Sequence, residues 1–241
     1  KLSKRKKKRP DGRELFTYIH EFRRAGYLPE ALCNFLALVG WSYDGSTEFF
    51  RRDELIRYFS LDRVSKSPSA FSYDKLEHMN ATYIRELGQN DLAGRLLTVL
   101  LDAGLAADYM TVLRLTPLIR ERIRTLQDAV DLVDFFFVDE ITYETDALIP
   151  KRLDRAATHK VLAVAREALA TMEPFDEATI ETQLRALVQE QGVKAGDFFG
   201  PIRVACSGKS VAPPIFGTLD VLGREKVLAR LDQAVAALAE G

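Results

Sequence analysis

The stretch GYLPEALCNFLALVGWS, residues 26–42, has the apolar spacing of a short amphipathic helix. Its apolar residues recur at intervals of three and four and share one face, namely Leu32, Phe35, Leu36 and Val39. Pro29 suits a first helical turn, and Gly40 is a stop signal. The stretch therefore predicts a helix that buries one face.

The same pattern recurs along most of the chain. Helices are predicted at 53–60, 74–88, 90–104, 195–206 and 224–239, with a further short apolar helix before the last of these. Asn90 is predicted as an N-cap and Gly104 as a stop, and Asp176 is predicted to cap a helix that ends at Gly192. No alternation of period two persists beyond a few residues. The chain is therefore predicted to be all-α.

Three further local predictions concern aromatic and sulfur-containing residues. Thr125 and Asp128 form a capping-box pattern for a helix that ends in Phe135, Phe136 and Phe137, and this aromatic run is predicted to lie in the core. Cys33 and Cys206 stand far apart in apolar stretches, which predicts two small buried thiols.

Composition limits the classes of function. The 241 residues are 47% hydrophobic, enough for one large domain or two smaller ones. No apolar run approaches the roughly 20 residues that span a bilayer, and no secretory signal pattern follows the basic start, so we expect a cytoplasmic protein without membrane association. The net charge is -1, but residues 1–24 hold ten basic against three acidic side chains. A polyanionic partner should therefore meet this segment and local basic patches.

Familiar catalytic patterns are missing from the sequence. It has no Gly-rich phosphate loop, no HExxH and no GxSxG. His20, His78 and His159 stand far apart, without the close spacing of metal ligands. We therefore expect no metal site.

Four phrases in a fixed order resemble bacterial glutamyl-tRNA synthetase, a class I aminoacyl-tRNA synthetase. KLSKR (1–5) looks like the lysine signature loop of the class, and residues 26–42 resemble the segment that follows it in this family. Residues 59–87 and 192–231 are similar to the family's next stretch and to its C-terminal end. Together the phrases cover about half of the residues and span the whole chain.

The resemblance implies a domain order. Residues 1–25 would be the lysine loop and a connector, 26–95 a stem-contact helical domain, and 96–241 a helical-bundle anticodon-binding domain with a subdomain boundary near 150–175. Because the family's dinucleotide-type domain is missing before Lys1, the chain is interpreted as a C-terminal piece of the ligase that is inactive alone. The missing initiator Met fits that interpretation.

The resemblance also implies partners and cofactors. Full-length enzymes of this family join glutamate to tRNA(Glu) through a glutamyl adenylate, using ATP and Mg²⁺. The expected partner of this piece is tRNA(Glu), with glutamate and ATP only beside the missing domain, and we expect a monomer without bound cofactor. In the lysine loop, Lys4 is the main candidate for stabilising ATP phosphates, supported by Lys1, Ser3 and Arg5. Lys6, Lys7 and Lys8 depart from the usual His-Gly and favour contact with tRNA phosphates.

Matching the family motifs assigns candidate tRNA-binding residues. Arg122 matches the arginine that reads the third anticodon base and suggests an enzyme that accepts only glutamate tRNA. Arg120, Arg122 and Arg124 are predicted on a short helix, spread over its faces. Arg203 matches the arginine that meets the first anticodon base, near a turn where Ile215 or Phe216 would support an unstacked base. The other candidates are Arg185, Ala212, Pro213, Ile215, Lys75, Asn80 and Arg85.

Two alternatives stay open at this point. The arginines could form a solvated face or structural salt bridges. The chain could also be a non-catalytic helical module that binds proteins.

Overall fold

The computed structural model of the protein describes Gly12, residues 15–66 and residues 69–239. Across these ranges the backbone forms twelve α-helices and three short 3-10 helices, and the only β pairing is a single antiparallel bridge between Trp41 and Val64. The prediction of an all-α chain is confirmed. None of the described helices is long and apolar enough to cross a membrane.

The chain divides into two compact units. Unit 1 comprises Lys1–Gly104 with Ile119–Asp131, and unit 2 comprises Leu105–Leu118 with Leu132–Gly241. Two helices cross the division, α6 at Tyr109–Ile119 and α7 at Asp128–Val133. Each unit is thus built from two separate segments of the chain, and the domain boundary between residues 95 and 96 stays a prediction.

Unit 1 is built on helix α2 packed against helix α4. Its helices α1 to α5 are Ile19–Arg24, Pro29–Leu38, Arg52–Tyr58, Tyr73–Glu86 and Gln89–Asp102. Pro29 occupies the first turn of α2, as predicted. Phe35, Leu76 and Ile84 are almost fully buried between α2 and α4. Burying their side chains contributes about 1.5–3 kcal/mol each to folding before the entropy of ordering is subtracted.

A buried amide helps to hold residues 119–131 in unit 1. Asn80 on α4 has no exposed surface. Its Oδ1 accepts a hydrogen bond from the backbone N of Leu28 at 2.8 Å, and its Nδ2 donates to the backbone O of Arg124 at 2.6 Å. One side chain thus satisfies two backbone groups that are distant in sequence, which is how buried polar groups are normally stabilised.

A glycine provides the second link to residues 119–131. The backbone N of Leu126 donates to the O of Gly26 at 2.9 Å. Gly26 has φ +80°, and a Cβ atom there would lie 2.4 Å from the backbone N of Gln127. Only glycine fits this close approach without movement of the backbone.

Unit 2 buries its core among its last five helices. Helices α8 to α12 are Arg155–Thr171, Glu177–Glu190, Ala195–Ser207, Ile215–Leu222 and Arg224–Ala239. Helix α12 packs against α8 and α10, and α11 packs against α9. Asp176 caps α9 as predicted, because its Oδ1 accepts a hydrogen bond from the backbone N of Thr179 at 2.9 Å.

A buried arginine ties the aromatic run into this core. Arg230 is 2% exposed, and its guanidinium donates to the carbonyl oxygens of Phe135, Val138 and Cys206. Burial lowers the pKa of Arg230. Phe135 and Phe136 are buried, as predicted for this run. The run is not α-helical, however, since α7 ends at Val133 and a 3-10 helix covers Asp134–Phe137.

Two other local predictions were wrong. Asn90 lies inside α5, because Gly88 is the N-cap and its carbonyl accepts from the backbone N of Leu92. Cys33 is exposed, because α2 turns its Ala31 and Phe35 side toward the core. Cys206 is buried as predicted, and burial raises the pKa of its thiol to about 12.

Candidate nucleic-acid interface

The loop after α6 presents Arg122 at the surface of unit 1. Helix α6 ends at Ile119, so residues 120–124 form a turn and not the predicted short helix. The backbone N atoms of Arg122 and Ile123 both donate to the O of Ile119, at 2.8 and 3.2 Å. Ile119 and Ile123 are each 1% exposed, so both ends of the turn are anchored in the core while Arg122 is exposed.

A carboxylate explains why the helix does not continue through this loop. Asp128 Oδ2 accepts hydrogen bonds from the backbone N atoms of Arg124 and Thr125, at 2.8 and 2.9 Å. The Oγ1 of Thr125 also donates to Asp128 Oδ1 at 3.0 Å. These bonds, with the Asn80 bond to the Arg124 carbonyl, replace the helical hydrogen bonds of the loop. The turn is therefore fixed from both sides.

The three arginines of the loop have different surroundings. Arg124 points to solvent, with Nη1 3.7 Å from Oε2 of the buried Glu77. Arg120 is half-buried, and its Nε is shielded from solvent without a hydrogen-bond partner in the described part of the chain. The guanidinium of Arg122 makes neither a hydrogen bond nor an ion pair with any described residue. Of the three, Arg122 is the one whose donors are all available to a ligand.

The three candidates predicted for the inner corner of the tRNA all lie on α4 but have different surroundings. Lys75 is half-buried and pairs with Glu48. Arg85 donates to Thr82 Oγ1 at 3.1 Å, and its Nε lies 3.9 Å from Glu121 Oε2. Asn80 does not reach the surface and its amide is occupied by two backbone groups, so its predicted contact with RNA is replaced by a structural role. Lys75 and Arg85 remain candidates.

In unit 2, Arg203 lies half-buried on α10, one turn before Ser207 as predicted. The Oγ of Ser207 donates to the backbone O of Arg203 at 2.7 Å and approaches the backbone O of Lys209 at 3.2 Å. Gly208 ends the helix with φ +71°. The local backbone around Arg203 is thus closely defined.

The turn after α10 packs inward. Ala212, Pro213 and Ile215 are buried, whereas Val211 and Pro214 are exposed. Ile215 therefore contributes to the core of unit 2, and its side chain is not presented to a base. The three buried residues shape the turn.

An arginine and a phenylalanine form the outer surface beside this turn. The guanidinium carbon of Arg185 lies 5.2 Å from the ring centroid of Phe216, and Arg185 Nε is 2.7 Å from Glu181 Oε1. The ring of Phe216 meets that of Phe199 edge to face at 5.3 Å. Phe216 is therefore a half-buried ring of this turn that carries a cation against it.

Two features of unit 1 were not predicted from the sequence. One is an open cleft of about 880 Å³ that is lined by Arg23 and Arg24 and by the ion pair of Arg95 with Glu30, among others. The other is a stack of tyrosine and arginine side chains in residues 43–63. The interleaved aromatic and basic residues of RYFSLDR, residues 57–63, were the available signal for the stack.

The last predictions concern the lysine loop and metal binding. Lys1, Ser3, Lys4 and Arg5 of the lysine loop, and Lys6 to Lys8, lie outside the described residues. Within the described residues, no group of three or more His, Cys, Asp or Glu side chains is placed to hold a metal ion.

Two protein-family models match the chain. The anticodon binding domain family matches residues 73–235, and the catalytic domain family of class I tRNA synthetases (E and Q) matches residues 1–78. The first match contains Arg85, Arg122, Arg185 and Arg203.

The chain is also similar to curated glutamate-tRNA ligases and to solved structures of such ligases. Glutamate-tRNA ligase of Roseiflexus castenholzii is 45% identical over 226 residues, which cover 91% of this chain and 45% of that protein. Glutamate-tRNA ligase of Chloroflexus aurantiacus is 47% identical over 226 residues, covering 90% and 45%. The crystal structure of a glutamate tRNA ligase from Elizabethkingia meningosepticum shares the fold, with a TM-score of 0.79, 23% identity and coverage of 97% of this chain and 45% of that one. The chain thus belongs to the anticodon binding domain family and is a homologue of glutamate-tRNA ligases, of whose length it spans about half.

Proposed function

We propose that this chain is the tRNA-binding part of a glutamate-tRNA ligase and that Arg122 reads the third anticodon base of glutamate tRNA. The observation that carries the proposal is the exposed guanidinium of Arg122, unpaired within the described residues, on a turn anchored by two buried isoleucines. A fixed backbone and a free planar donor are the features that recognition of a base edge requires.

The chemistry of an unpaired cytosine suits this donor. The glutamate codons GAA and GAG require cytosine at the third anticodon position, and its Watson-Crick edge offers two adjacent acceptors, O2 and N3. The fork of a guanidinium can donate to both acceptors at once. Guanine at the same position presents N–H donors on that edge, so the arginine would face like dipoles. We expect a preference of about 1–3 kcal/mol for cytosine.

The remaining contacts are assigned to both units. In unit 1, Lys75 and Arg85 would meet phosphate or ribose at the inner corner of the tRNA. In unit 2, Arg203 would meet the first anticodon base, and Arg185 with Phe216 would support it, while Ala212, Pro213 and Ile215 shape the turn. The cation over Phe216 and the exposure of Pro214 favour an RNA surface there.

The complete ligase would use ATP and Mg²⁺ to activate glutamate before transfer to the tRNA, with the chain acting as a cytoplasmic monomer. The lysine loop, with Lys4 as its main phosphate ligand and Lys1, Ser3 and Arg5 in support, would serve that step. The chain alone is expected to position tRNA without forming the adenylate.

Binding of the 241-residue chain to glutamate tRNA transcripts tests the proposal. Wild-type protein should prefer cytosine to guanine at the third anticodon position by about 5- to 150-fold. Arg122→Gln should reduce this preference toward unity, because the glutamine amide can donate to either base and accept from either. Arg122→Lys is the matched control, since it keeps the charge but loses the fork. It should retain most of the affinity and lose most of the preference.

Two results would contradict the proposal. If exchanging the base changes the affinity of wild type and Arg122→Gln alike, Arg122 does not read that base. If the wild-type chain binds glutamate tRNA and a non-cognate tRNA equally and weakly, the alternative of a protein-binding helical module is favoured.

A further inference from the structure

Four side chains of unit 1 form a continuous stack, which we call the tyrosine-arginine stack: Arg57, Tyr58, Tyr43 and Arg63. The rings of Tyr43 and Tyr58 lie 4.6 Å apart between centroids, inclined by 36°. The guanidinium carbon of Arg57 lies 5.5 Å from the centroid of Tyr58, and that of Arg63 lies 5.7 Å from the centroid of Tyr43. Each arginine is thus paired with a tyrosine ring in cation–π geometry.

The fold brings these residues together by a short backbone pairing. Trp41 and Val64 form an antiparallel bridge, and the backbone N of Ser65 donates to the O of Gly40 at 2.6 Å. This pairing places residues 61–64 beside the chain that leads to Tyr43. Arg63 adds a hydrogen bond from its guanidinium to the backbone O of Tyr43.

The rings of the stack rest on buried aromatic residues. Tyr43 meets Phe50 edge to face at 5.9 Å and lies 6.5 Å from the ring of Trp41. Phe50 and Trp41 are each 3% exposed. The stack is therefore held on a packed support, and its arginines need lose little further freedom when a ligand binds.

The two arginines are oriented by the rings but have no carboxylate partner among the described residues. Both are exposed, and within the described residues neither lies within ion-pair distance of a carboxylate. The carboxylate of Asp44, next to Tyr43 in the chain, is occupied by hydrogen bonds from its own turn, including the backbone N of Thr47. Residues 51–66 hold five basic against three acidic side chains. The surface thus presents excess positive charge in a fixed arrangement.

We propose that Arg57 and Arg63 bind two phosphates of a tRNA backbone at a site separate from the anticodon contacts. Each tyrosine ring already lies against the other tyrosine and against one arginine, so a base has little room to insert. Apart from the bond of Arg63 to the Tyr43 carbonyl, the guanidinium N–H groups have no hydrogen-bond partner among the described residues. They suit phosphate oxygens, which accept from such a fork. The inference rests on the proposed function, because it requires that the chain binds tRNA.

The test compares salt-dependent binding of glutamate tRNA by the full 241-residue chain and its variants. Each neutralised phosphate contributes about -0.7 to the slope of log K against log salt, so Arg57→Gln/Arg63→Gln should make the slope less negative by about 1.4. The affinity of this double variant for glutamate tRNA should fall about 25-fold at 0.1 M salt and about 5-fold at 0.3 M. The loss should be equal for cognate and non-cognate tRNA, since phosphates carry no sequence information.

Three control variants test whether the stack itself, and not positive charge in general, binds the RNA. Arg52→Gln/Lys66→Gln removes the same charge from exposed side chains outside the stack and should change affinity less than about threefold. Tyr43→Leu/Tyr58→Leu keeps both charges but removes the rings that orient them, and it should lose part of the affinity. Urea unfolding of each variant identifies any loss that comes from misfolding, and Tyr43→Phe/Tyr58→Phe should then retain wild-type binding.

The outcomes distinguish this inference from the proposed function. An equal loss in the Arg52 and Lys66 control would overturn the stack as a defined site. Unchanged binding by Arg57→Gln/Arg63→Gln, with base preference still lost in Arg122→Gln, would overturn the stack alone. Absence of tRNA binding by wild type would overturn both. Altered self-association in sedimentation, without altered RNA affinity, would identify this surface as a protein interface and overturn the inference.

Discussion

Replacing Gly26 by alanine should weaken both the stability of unit 1 and the base preference assigned to Arg122. Gly26 has φ +80°, and an added Cβ would lie 2.4 Å from the backbone N of Gln127 and 2.7 Å from that of Leu126. The left-handed backbone costs a non-glycine residue about 1–2 kcal/mol. Displacing residues 126–127 to relieve the contact also breaks the 2.9 Å hydrogen bond from Leu126, worth about 1 kcal/mol.

The free energy of unfolding should therefore fall by at least about 2–3 kcal/mol, measured by urea denaturation. Because residues 119–131 include the Arg122 loop, the preference for cytosine should fall as well. Gly104→Ala is the matched control, since Gly104 has φ +83° with no atom within 4 Å of an added Cβ. Its free energy of unfolding should fall by only about 1–2 kcal/mol, and its base preference should be unchanged. Equal losses in the two variants, with the preference intact in Gly26→Ala, would refute this reasoning.

Two further predictions concern side chains of unit 1. Asn80→Ala leaves the backbone N of Leu28 and the O of Arg124 without their partner, so the free energy of unfolding, measured by urea denaturation, should fall by about 2–5 kcal/mol. Lower tRNA affinity at unchanged stability would instead identify Asn80 as an RNA contact. Burial raises the pKa of Glu30, but hydrogen bonds, chiefly from Arg95, outweigh it and leave the pKa below the usual 4.5. The stability advantage of wild type over Glu30→Gln should therefore be constant above about pH 5.5 and shrink as the pH falls below 4.5, and an advantage that grows on acidification would contradict this sign.

Local sequence signals predicted the helices better than they predicted the surface. Pro29 at the start of α2 and Asp176 as a cap act within one turn of the helix they begin, so both could be predicted from the local sequence. The loop of Arg120 to Arg124 was misread as helix because Asp128 and the distant Asn80 take its backbone groups. Long-range hydrogen bonds of this kind leave no periodic pattern in the sequence.

The tyrosine-arginine stack was not predicted because it also depends on contacts between residues that are distant in sequence. Tyr43 and Tyr58 stand fifteen positions apart, and the bridge between Trp41 and Val64 lies beside their contact in the fold. A period-two signal needs several alternating residues, and a single bridge supplies none. Arg122 was identified through its resemblance to a family motif, whereas its availability to a ligand could be seen only from its surroundings.

Asn80 and Arg122 show that a buried structural residue and a proposed binding residue can look alike in sequence. Both are polar residues next to apolar ones, and both were assigned to RNA. The buried Asn80 amide holds the carbonyl of Arg124, two residues after Arg122, and so helps to fix the turn that exposes the Arg122 guanidinium. A substitution at either position should weaken recognition of the third anticodon base. Only the Asn80 substitution should also lower the free energy of unfolding, so stability and base preference must be measured together to separate support of the site from contact with the RNA.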